Sequence, residues 1–181
     1  MNFLNLYFSS TGNTEKVALQ IQETVSKLGH QIETVKVTKG DMNIDILSFD
    51  FIFAGSGVYT QLPGKPMIDL HLNLLRKYST SGDIKPSTPR KPSAYFVIYC
   101  TYGGRHTGIN EAIPAVKFMG QLYEHLGYTI LGEWYLVGEY ENEIHSTEGR
   151  LGDIRGRPNS YDLKEVSEKV KGILKASQYQ S

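Results

Sequence analysis

Six consecutive residues near the start of the chain combine hydroxyl and amide side chains with one glycine: Ser9, Ser10, Thr11, Gly12, Asn13 and Thr14. Hydroxyl groups can donate hydrogen bonds to an anion, and a glycine lets the backbone come close to it. The segment has neither the lysine of a nucleoside-triphosphate loop nor the three glycines of a dinucleotide loop. Neutral donors without a metal-binding partner therefore predict a site for the terminal phosphate of a monoester.

The elements around this segment favour an anion site over ordinary helix capping. Residues 3–8 predict a short strand rich in aromatic and branched side chains, and residues 15–28 predict a helix with apolar residues at helical spacing. The start of a helix carries unpaired N–H groups and the positive end of the helix dipole, so it suits an anion. Capping of that helix by Thr11 or Asn13 is the alternative interpretation of the same residues.

Residues 9–14 resemble the phosphate loop of flavodoxins and flavodoxin-like flavoproteins, which follows the first strand with the pattern T/S-x-T-G-N-T. The resemblance implies a protein that binds FMN without a covalent bond and moves electrons. The isoalloxazine ring would carry that chemistry, and the protein would set its orientation and potential. No catalytic acid, base or nucleophile of the protein itself is predicted.

A second loop, Gly55 to Pro63, resembles the loop after the third strand in flavodoxin-like proteins, often G-S-P-V-Y. Gly57 replaces the proline of that pattern, so the backbone is freer here. The resemblance implies that the aromatic side chain stacks on the flavin and that its neighbours meet the pyrimidine edge; the implied contacts are Gly57, Val58, Tyr59 and Thr60. The alternative is that Tyr59 packs on the next helix.

A third loop follows the fourth predicted strand and contains a pair of glycines. The resemblance places it against the isoalloxazine, with implied contacts Thr101, Tyr102, Gly103, Gly104 and Arg105. A plain Gly-Gly turn is the alternative. A cation near the N1–C2 edge would stabilise the reduced anionic flavin, which is one hypothesis for Arg105. A solvated Arg105 and His106 on the rim of the loop is the other.

Strands and helices alternate along the chain. Strands are predicted at 3–8, 31–37, 51–54, 94–99 and 129–137, and helices at 15–28, 65–78, 110–126 and 162–176. This order predicts an α/β fold: a three-layer, doubly wound, five-stranded parallel sheet. A monoester loop after the first strand favours the flavodoxin-like strand order 2-1-3-4-5, with residues 1–181 forming one domain.

The overall composition limits the classes of function. Formal net charge is +0, which gives no support for nucleic-acid binding and differs from the strongly acidic electron-carrying flavodoxins. We expect no membrane span and no signal peptide. The single cysteine, Cys100, is expected to be a buried thiol and fits a cytoplasmic location.

Two segments have no clear role in the sequence. Residues 79–92 contain prolines and basic side chains and suit a solvated connection, with docking of an acidic partner as the alternative. Residues 138–160 form the longest predicted loop, for which a lid or a docking role is a hypothesis. His145 and its neighbouring glutamates lack the spacing of a metal site, so no metal is predicted. Asn159 or Ser160 is expected to cap the last helix.

Three functions are compatible with these patterns. The first is an FMN-binding redox protein that transfers electrons between partner proteins, a reductase and an acceptor. The second is an NAD(P)H-dependent FMN oxidoreductase of the quinone-reductase type, whose partners would be NAD(P)H and a quinone. The third is a non-redox phosphate-binding or receiver-like module. A receiver needs acidic residues where the first and third strands end, and Phe8-Ser9 and Ala54-Gly55 occupy those places.

Overall fold

The computed structural model of the protein describes residues 1–40, 42–141 and 143–177. Its strands are β1 (Phe3–Phe8), β2 (Ile32–Lys36), β3 (Phe51–Tyr59), β4 (Leu62–Pro63), β5 (Tyr95–Tyr102) and β6 (Thr129–Val137). Its α-helices are α1 (Asn13–Lys27), α2 (Lys65–Ser81), α3 (Ile113–His125), α4 (Glu143–Thr147) and α5 (Ser160–Ser177).

The long strands form a parallel sheet in the order β2-β1-β3-β5-β6. Because β5 and β6 are the fourth and fifth long strands along the chain, this is the predicted order 2-1-3-4-5, which is confirmed. The short strand β4, which the sequence analysis did not predict, pairs antiparallel with the end of β3.

Helices cover both faces of the sheet, as predicted for a doubly wound fold. Successive side chains of a strand point to opposite faces. Phe51 and Phe53 accordingly pack with residues of α1 and α5, whereas Ile52 and Ala54 pack with residues of α2 and α3. These strand side chains are fully buried, and burying each of the large ones contributes about 1.5–3 kcal/mol. Apolar runs buried on both faces explain why the central strands show no alternation in the sequence.

Two strands extend further than predicted. β3 continues from residue 54 to Tyr59, and β5 continues from residue 99 to Tyr102, so parts of both predicted loops belong to the sheet. Glycine is a poor strand residue, which is why the sequence predicted a loop at Gly55. The structure explains its presence in the strand: a Cβ at Gly55 would lie 2.1 Å from the ring of Tyr99.

Several helix limits also differ from the predictions. α1 begins at Asn13 rather than residue 15, α2 extends to Ser81 rather than residue 78, and α5 spans 160–177 rather than 162–176. The helix predicted from residue 110 begins at Ile113, after a 3₁₀ turn over Gly108–Glu111. Pro114 fits that helix start, because the first turn of a helix needs no N–H from proline. The short helix α4 inside the predicted loop 138–160 was missed.

A buried polar network fixes α1 against the centre of the sheet. The Tyr99 hydroxyl donates to Asn5 Oδ1 at 2.9 Å, and Asn5 Nδ2 donates to the Ala18 carbonyl at 3.0 Å. Buried polar groups of this kind are costly when unpaired, so the bonds specify one position for the helix.

Among the described residues, no helix is both long and apolar enough to cross a lipid bilayer.

Candidate functional site

The three predicted loops meet at the carboxyl edge of the sheet, around a cleft of about 280 Å³. Ten of the predicted site residues line it: Ser10, Thr11, Asn13, Thr14, Gly57, Val58, Tyr59, Thr101, Tyr102 and Gly103. The cleft opens where β1 and β3 lie side by side and their following connections leave toward opposite faces. In doubly wound folds this switch point is where ligands bind. Ser9, Gly12, Thr60, Gly104 and Arg105 stand next to these residues but do not line the cleft.

The start of α1 faces the cleft without a side-chain cap. Gly12 occupies the N-cap position with φ +91°, and no side chain in the described part of the chain caps the helix. The alternative interpretation, capping by Thr11 or Asn13, is therefore wrong. The Gly12 N–H donates to Ser9 Oγ at 3.1 Å, which closes the loop on itself. The N–H groups of the first helical turn and its dipole are thus available to an anion in the cleft.

Asn13 and Thr14 hold the loop against neighbouring elements. Asn13 Nδ2 donates to the Glu139 carbonyl at 2.8 Å, and the buried hydroxyls of Thr14 and Thr101 form a hydrogen bond of 2.8 Å. These bonds connect the start of α1 to the ends of β5 and β6. They leave the hydroxyls of Ser10 and Thr11 as the side-chain donors of the loop that are most accessible from the cleft.

Tyr59 lies across the cleft from this loop. Its hydroxyl forms a hydrogen bond of 2.6 Å with Ser10 Oγ, and its ring meets the ring of Phe8 edge-on at a centroid distance of 5.8 Å. A Cβ at Gly57 would lie 2.9 Å from the Tyr59 hydroxyl, so a glycine there lets the ring fold over β3. These contacts keep the ring on the cleft side of β3, and Tyr59 as a whole is 40% exposed.

The turn between β3 and β4 holds two non-glycine residues in the left-handed region, Thr60 at φ +49° and Gln61 at φ +64°. Such a turn favours Asn-Gly, and a β-branched residue is strained there. We expect Thr60→Asn to raise the free energy of unfolding of the protein by about 1 kcal/mol. Urea denaturation measures the change. Thr107→Asn is the control variant. Thr107 has φ −122°, outside the left-handed region, so this substitution should give no such gain. Equal gains in the two variants would contradict backbone strain at Thr60.

The segment after β6 forms a further side of the cleft. Gly138, Glu139, Tyr140, Glu141 and His145 line it. Two bonds to the distant end of the segment hold it in place. The Glu139 N–H donates to the Arg157 carbonyl at 2.9 Å, and the Gly156 N–H donates to Glu139 Oε2 at 2.7 Å. None of these five residues was predicted as a site residue. The available signal was that β6 ends at the same edge of the sheet as β1, β3 and β5.

Solved structures with the same architecture are flavodoxins and related proteins. The flavodoxin of Streptococcus pneumoniae TIGR4 superposes with a TM-score of 0.65 at 14% sequence identity, covering 97% of this chain and 99% of that one. Flavodoxin 2 from Bacillus cereus gives 0.66 at 15% identity, with coverages of 97% and 99%. The chain has the flavodoxin-like fold.

The flavodoxin-like fold is shared with proteins of other names. A WrbA-like flavodoxin from Agrobacterium tumefaciens superposes with a TM-score of 0.64 at 12% identity over 99% of both chains. A flavone reductase gives 0.60 at 10% identity, covering 98% of this chain and 63% of that one. No protein-family model and no curated protein sequence matches the chain.

Arg105 does not reach the cleft of this flavodoxin-like structure. Its Nε donates to the Glu148 carbonyl at 3.3 Å, and its own carbonyl accepts from the Arg150 N–H at 2.9 Å. The side chain therefore joins the loop after β5 to the segment after β6. The neighbouring His106 N–H donates to Glu111 Oε1 at 2.7 Å. Whether Arg105 influences a flavin stays a prediction.

The charged groups that line the described part of the cleft are acidic, apart from His145. Glu139 and Glu141 are the carboxylates, and no lysine or arginine lines it there. An anion in this cleft would thus depend on neutral donors and on the start of α1.

The single cysteine of the chain is a buried thiol, as predicted. Burial raises the pKa of Cys100, which keeps the thiol protonated.

The predicted cap of the last helix is present. Asn159 Oδ1 accepts from the N–H groups of Tyr161 at 2.9 Å and Asp162 at 3.3 Å, and Asp162 Oδ2 accepts from the Asn159 N–H at 2.8 Å. This reciprocal pair is a capping box. Asp162 also pairs with the guanidinium of Arg157. The far end of the segment after β6 is therefore fixed to α5.

Proposed function

We propose that the protein binds FMN in this cleft and transfers electrons between partner proteins. The observation that carries the proposal is that an uncapped helix start, the exposed hydroxyl side chains of Ser10 and Thr11, and an accessible aromatic ring meet at one switch point. An anion site beside a flat aromatic surface suits a molecule with a phosphate at one end and a planar ring at the other. The likeness of the fold to flavodoxins supports the same conclusion.

The residues present fit FMN. Ser10, Thr11 and the first N–H groups of α1 would hold the phosphate, while Ser9, Gly12, Asn13 and Thr14 keep the loop in shape. The cradle for the ring would be Tyr59 and the backbone of Gly57, Val58 and Thr101 to Gly103. Glycines at 57 and 103 make room for the side chains of Tyr59 and Tyr140, which a Cβ at these positions would meet at 2.9 Å and 2.0 Å. Bound FMN would supply reversible electron transfer, for which the protein need provide neither acid nor base.

Electron exchange with protein partners is favoured over direct reduction by a nicotinamide. The carboxylates of Glu139 and Glu141 line the cleft, and none of its described lining residues is a lysine or arginine. The diphosphate of NAD(P)H carries several negative charges that these carboxylates would repel, and the start of α1, which would offset such a cost, would already hold the FMN phosphate. A reductase that docks at the cleft mouth avoids this cost, and a second protein would accept the electrons. Cytoplasmic location is part of the same proposal.

A flavin-dependent oxidoreductase is the second candidate. Formal net charge +0 differs from the acidic surface expected of a carrier, and the fold also occurs in a flavone reductase. In this case NAD(P)H would reduce the flavin and a quinone or similar compound would accept the electrons.

Reduction of the FMN-loaded protein under anaerobic conditions separates the two candidates. We expect NADPH alone to leave the bound flavin oxidised over minutes. Adding a catalytic amount of an NADPH-dependent flavoprotein reductase should bleach the flavin absorbance and support reduction of cytochrome c. Rapid NADPH–quinone turnover without the reductase would overturn the carrier role and establish the second candidate.

A further inference from the structure

We propose that Tyr140, from the segment after β6, is a second aromatic contact of the flavin ring beside Tyr59. The inference rests on FMN binding, and it assigns a ring-binding role to a segment that has none in the proposed function. Tyr140 lines the same cleft as Tyr59 and Gly103. The ligand class it would recognise is a planar aromatic ring system, here the isoalloxazine.

The ring of Tyr140 lies directly on the loop after β5. A Cβ at Gly103 would be 2.0 Å from this ring, so only glycine allows the contact. The loop after β5, which is predicted to lie against the flavin, is thus covered by an aromatic side chain from elsewhere in the chain. A flat ligand entering the cleft beside Gly103 meets the Tyr140 ring there.

Other contacts hold the Tyr140 ring in this place. Its backbone N–H donates to the buried Ser146 Oγ at 2.8 Å, and Ser146 Oγ donates back to its carbonyl at 3.3 Å. His145 packs against the ring at a centroid distance of 5.7 Å and an interplanar angle of 79°. A ring that is already ordered loses little conformational freedom when a ligand stacks on it.

The loop after β5 offers no comparable ring of its own. Tyr102 is 8% exposed and packs in the core on the α2 and α3 face of the sheet. Tyr140 is half-buried and keeps an accessible surface within the cleft. Aromatic pairs prefer offset stacking or edge-to-face contact and add to the gain from burial alone. Tyr140 therefore provides the stacking surface that Tyr102 cannot.

Titration of the apoprotein with FMN, followed by flavin fluorescence, tests the proposal. Aromatic stacking binds and quenches a flavin, so Tyr140→Leu should raise the Kd about 10-fold or more and leave the bound flavin brighter. Tyr140→Phe keeps the ring and should stay within about twofold of the wild-type Kd. Tyr161→Leu is the control, because Tyr161 is 68% exposed on α5 and does not line the cleft.

Ser146→Ala provides a second route to the same test. Ser146 does not line the cleft, and it acts as a positioning residue through Tyr140. Loss of its bond should raise the Kd about fivefold and weaken the quenching, since a hydrogen bond contributes on the order of 1 kcal/mol, which is about a factor of five in Kd. Unchanged Kd and quenching in Tyr140→Leu, or in Ser146→Ala if the first variant does not fold, would overturn the inference. Failure of the wild-type protein to bind FMN would overturn the proposed function instead.

Discussion

Thr11→Asp is expected to weaken FMN binding about 100-fold and to leave riboflavin binding within about threefold of the wild-type value. Thr11 lies in the loop at the start of α1 and lines the cleft. A carboxylate there would face the FMN phosphate. Two like charges about 5 Å apart repel by about 3 kcal/mol at an effective dielectric constant of about 20. Each 1.4 kcal/mol is about one factor of ten in Kd, which gives the expected loss.

The effect should be confined to the phosphate. A negative charge near the amino end of a helix stabilises the helix, so the free energy of unfolding of the apoprotein should not fall. Riboflavin has the same ring and ribityl chain but no phosphate, and it reports on any other damage to the cleft. Thr11→Asn is the matched neutral variant and should bind FMN within about fivefold of wild type. Equal losses for FMN and riboflavin in Thr11→Asp would show that the phosphate is not bound at this loop.

Acid destabilisation of the fold is expected to depend largely on His71. This side chain on α2 is fully buried; its Nδ1 lies 2.9 Å from the Met67 carbonyl, and its ring meets Tyr123 edge-on. Burial lowers the pKa of His71 from 6.5 to about 4. The unfolded chain therefore takes up a proton near pH 6.5, while the folded protein resists it until about pH 4. The contribution of neutral His71 to the free energy of unfolding is fully present above pH 6.5. It is lost progressively as the pH falls from 6.5 to about 4.

His71→Gln isolates this contribution, because glutamine can donate to the Met67 carbonyl and does not titrate. Between pH 7.5 and pH 5 the free energy of unfolding of the wild-type protein should fall by about 2 kcal/mol more than that of the variant. Urea denaturation at the two pH values measures the difference. His125→Gln on the exposed side of α3 is the control and should retain the wild-type dependence. If the free energy of unfolding of His71→Gln falls by as much as that of the wild-type protein, groups other than His71 cause the acid denaturation.

The arrangement of the sheet could be predicted because it depends on local patterns and chirality. Apolar runs such as 51–54 identify buried parallel strands, and a phosphate loop after the first strand selects one strand order. That order alone brings Thr11, Tyr59 and Thr101 to one edge of the sheet, since parallel strands end there together. Ten of the predicted site residues line the cleft for this reason.

The limits of β1 and β6 agree with the prediction, but the carboxyl ends of β3 and β5 could not be predicted, because long-range packing decides them. Gly55 continues β3 only because the ring of Tyr99, on the neighbouring strand, fills the place of a side chain. Nothing within five residues of Gly55 in the sequence indicates that contact. Gly103, just after β5, likewise makes room for an aromatic ring, that of Tyr140, which belongs to a distant segment of the chain.

The side of the cleft formed after β6 shows a second limit of the sequence. Its position depends on hydrogen bonds between distant residues, such as Asn13 Nδ2 to the Glu139 carbonyl and the Gly156 N–H to Glu139 Oε2. The helix within it, α4, has five residues, too few to show a helical period. Neither a motif nor a resemblance identified Tyr140 or His145, and only the three-dimensional structure places them at the cleft.

The relative affinity of the wild-type apoprotein for FMN and riboflavin tests the central claim most directly. Parallel fluorescence titrations at one ionic strength should show FMN binding at one molecule per chain, about 100-fold or more tighter than riboflavin. That ratio is expected because charge-assisted hydrogen bonds from a helix start to a phosphate contribute about 1.5–3 kcal/mol each. Equal affinities for the two flavins, or no binding of either, would contradict a phosphate site at the start of α1.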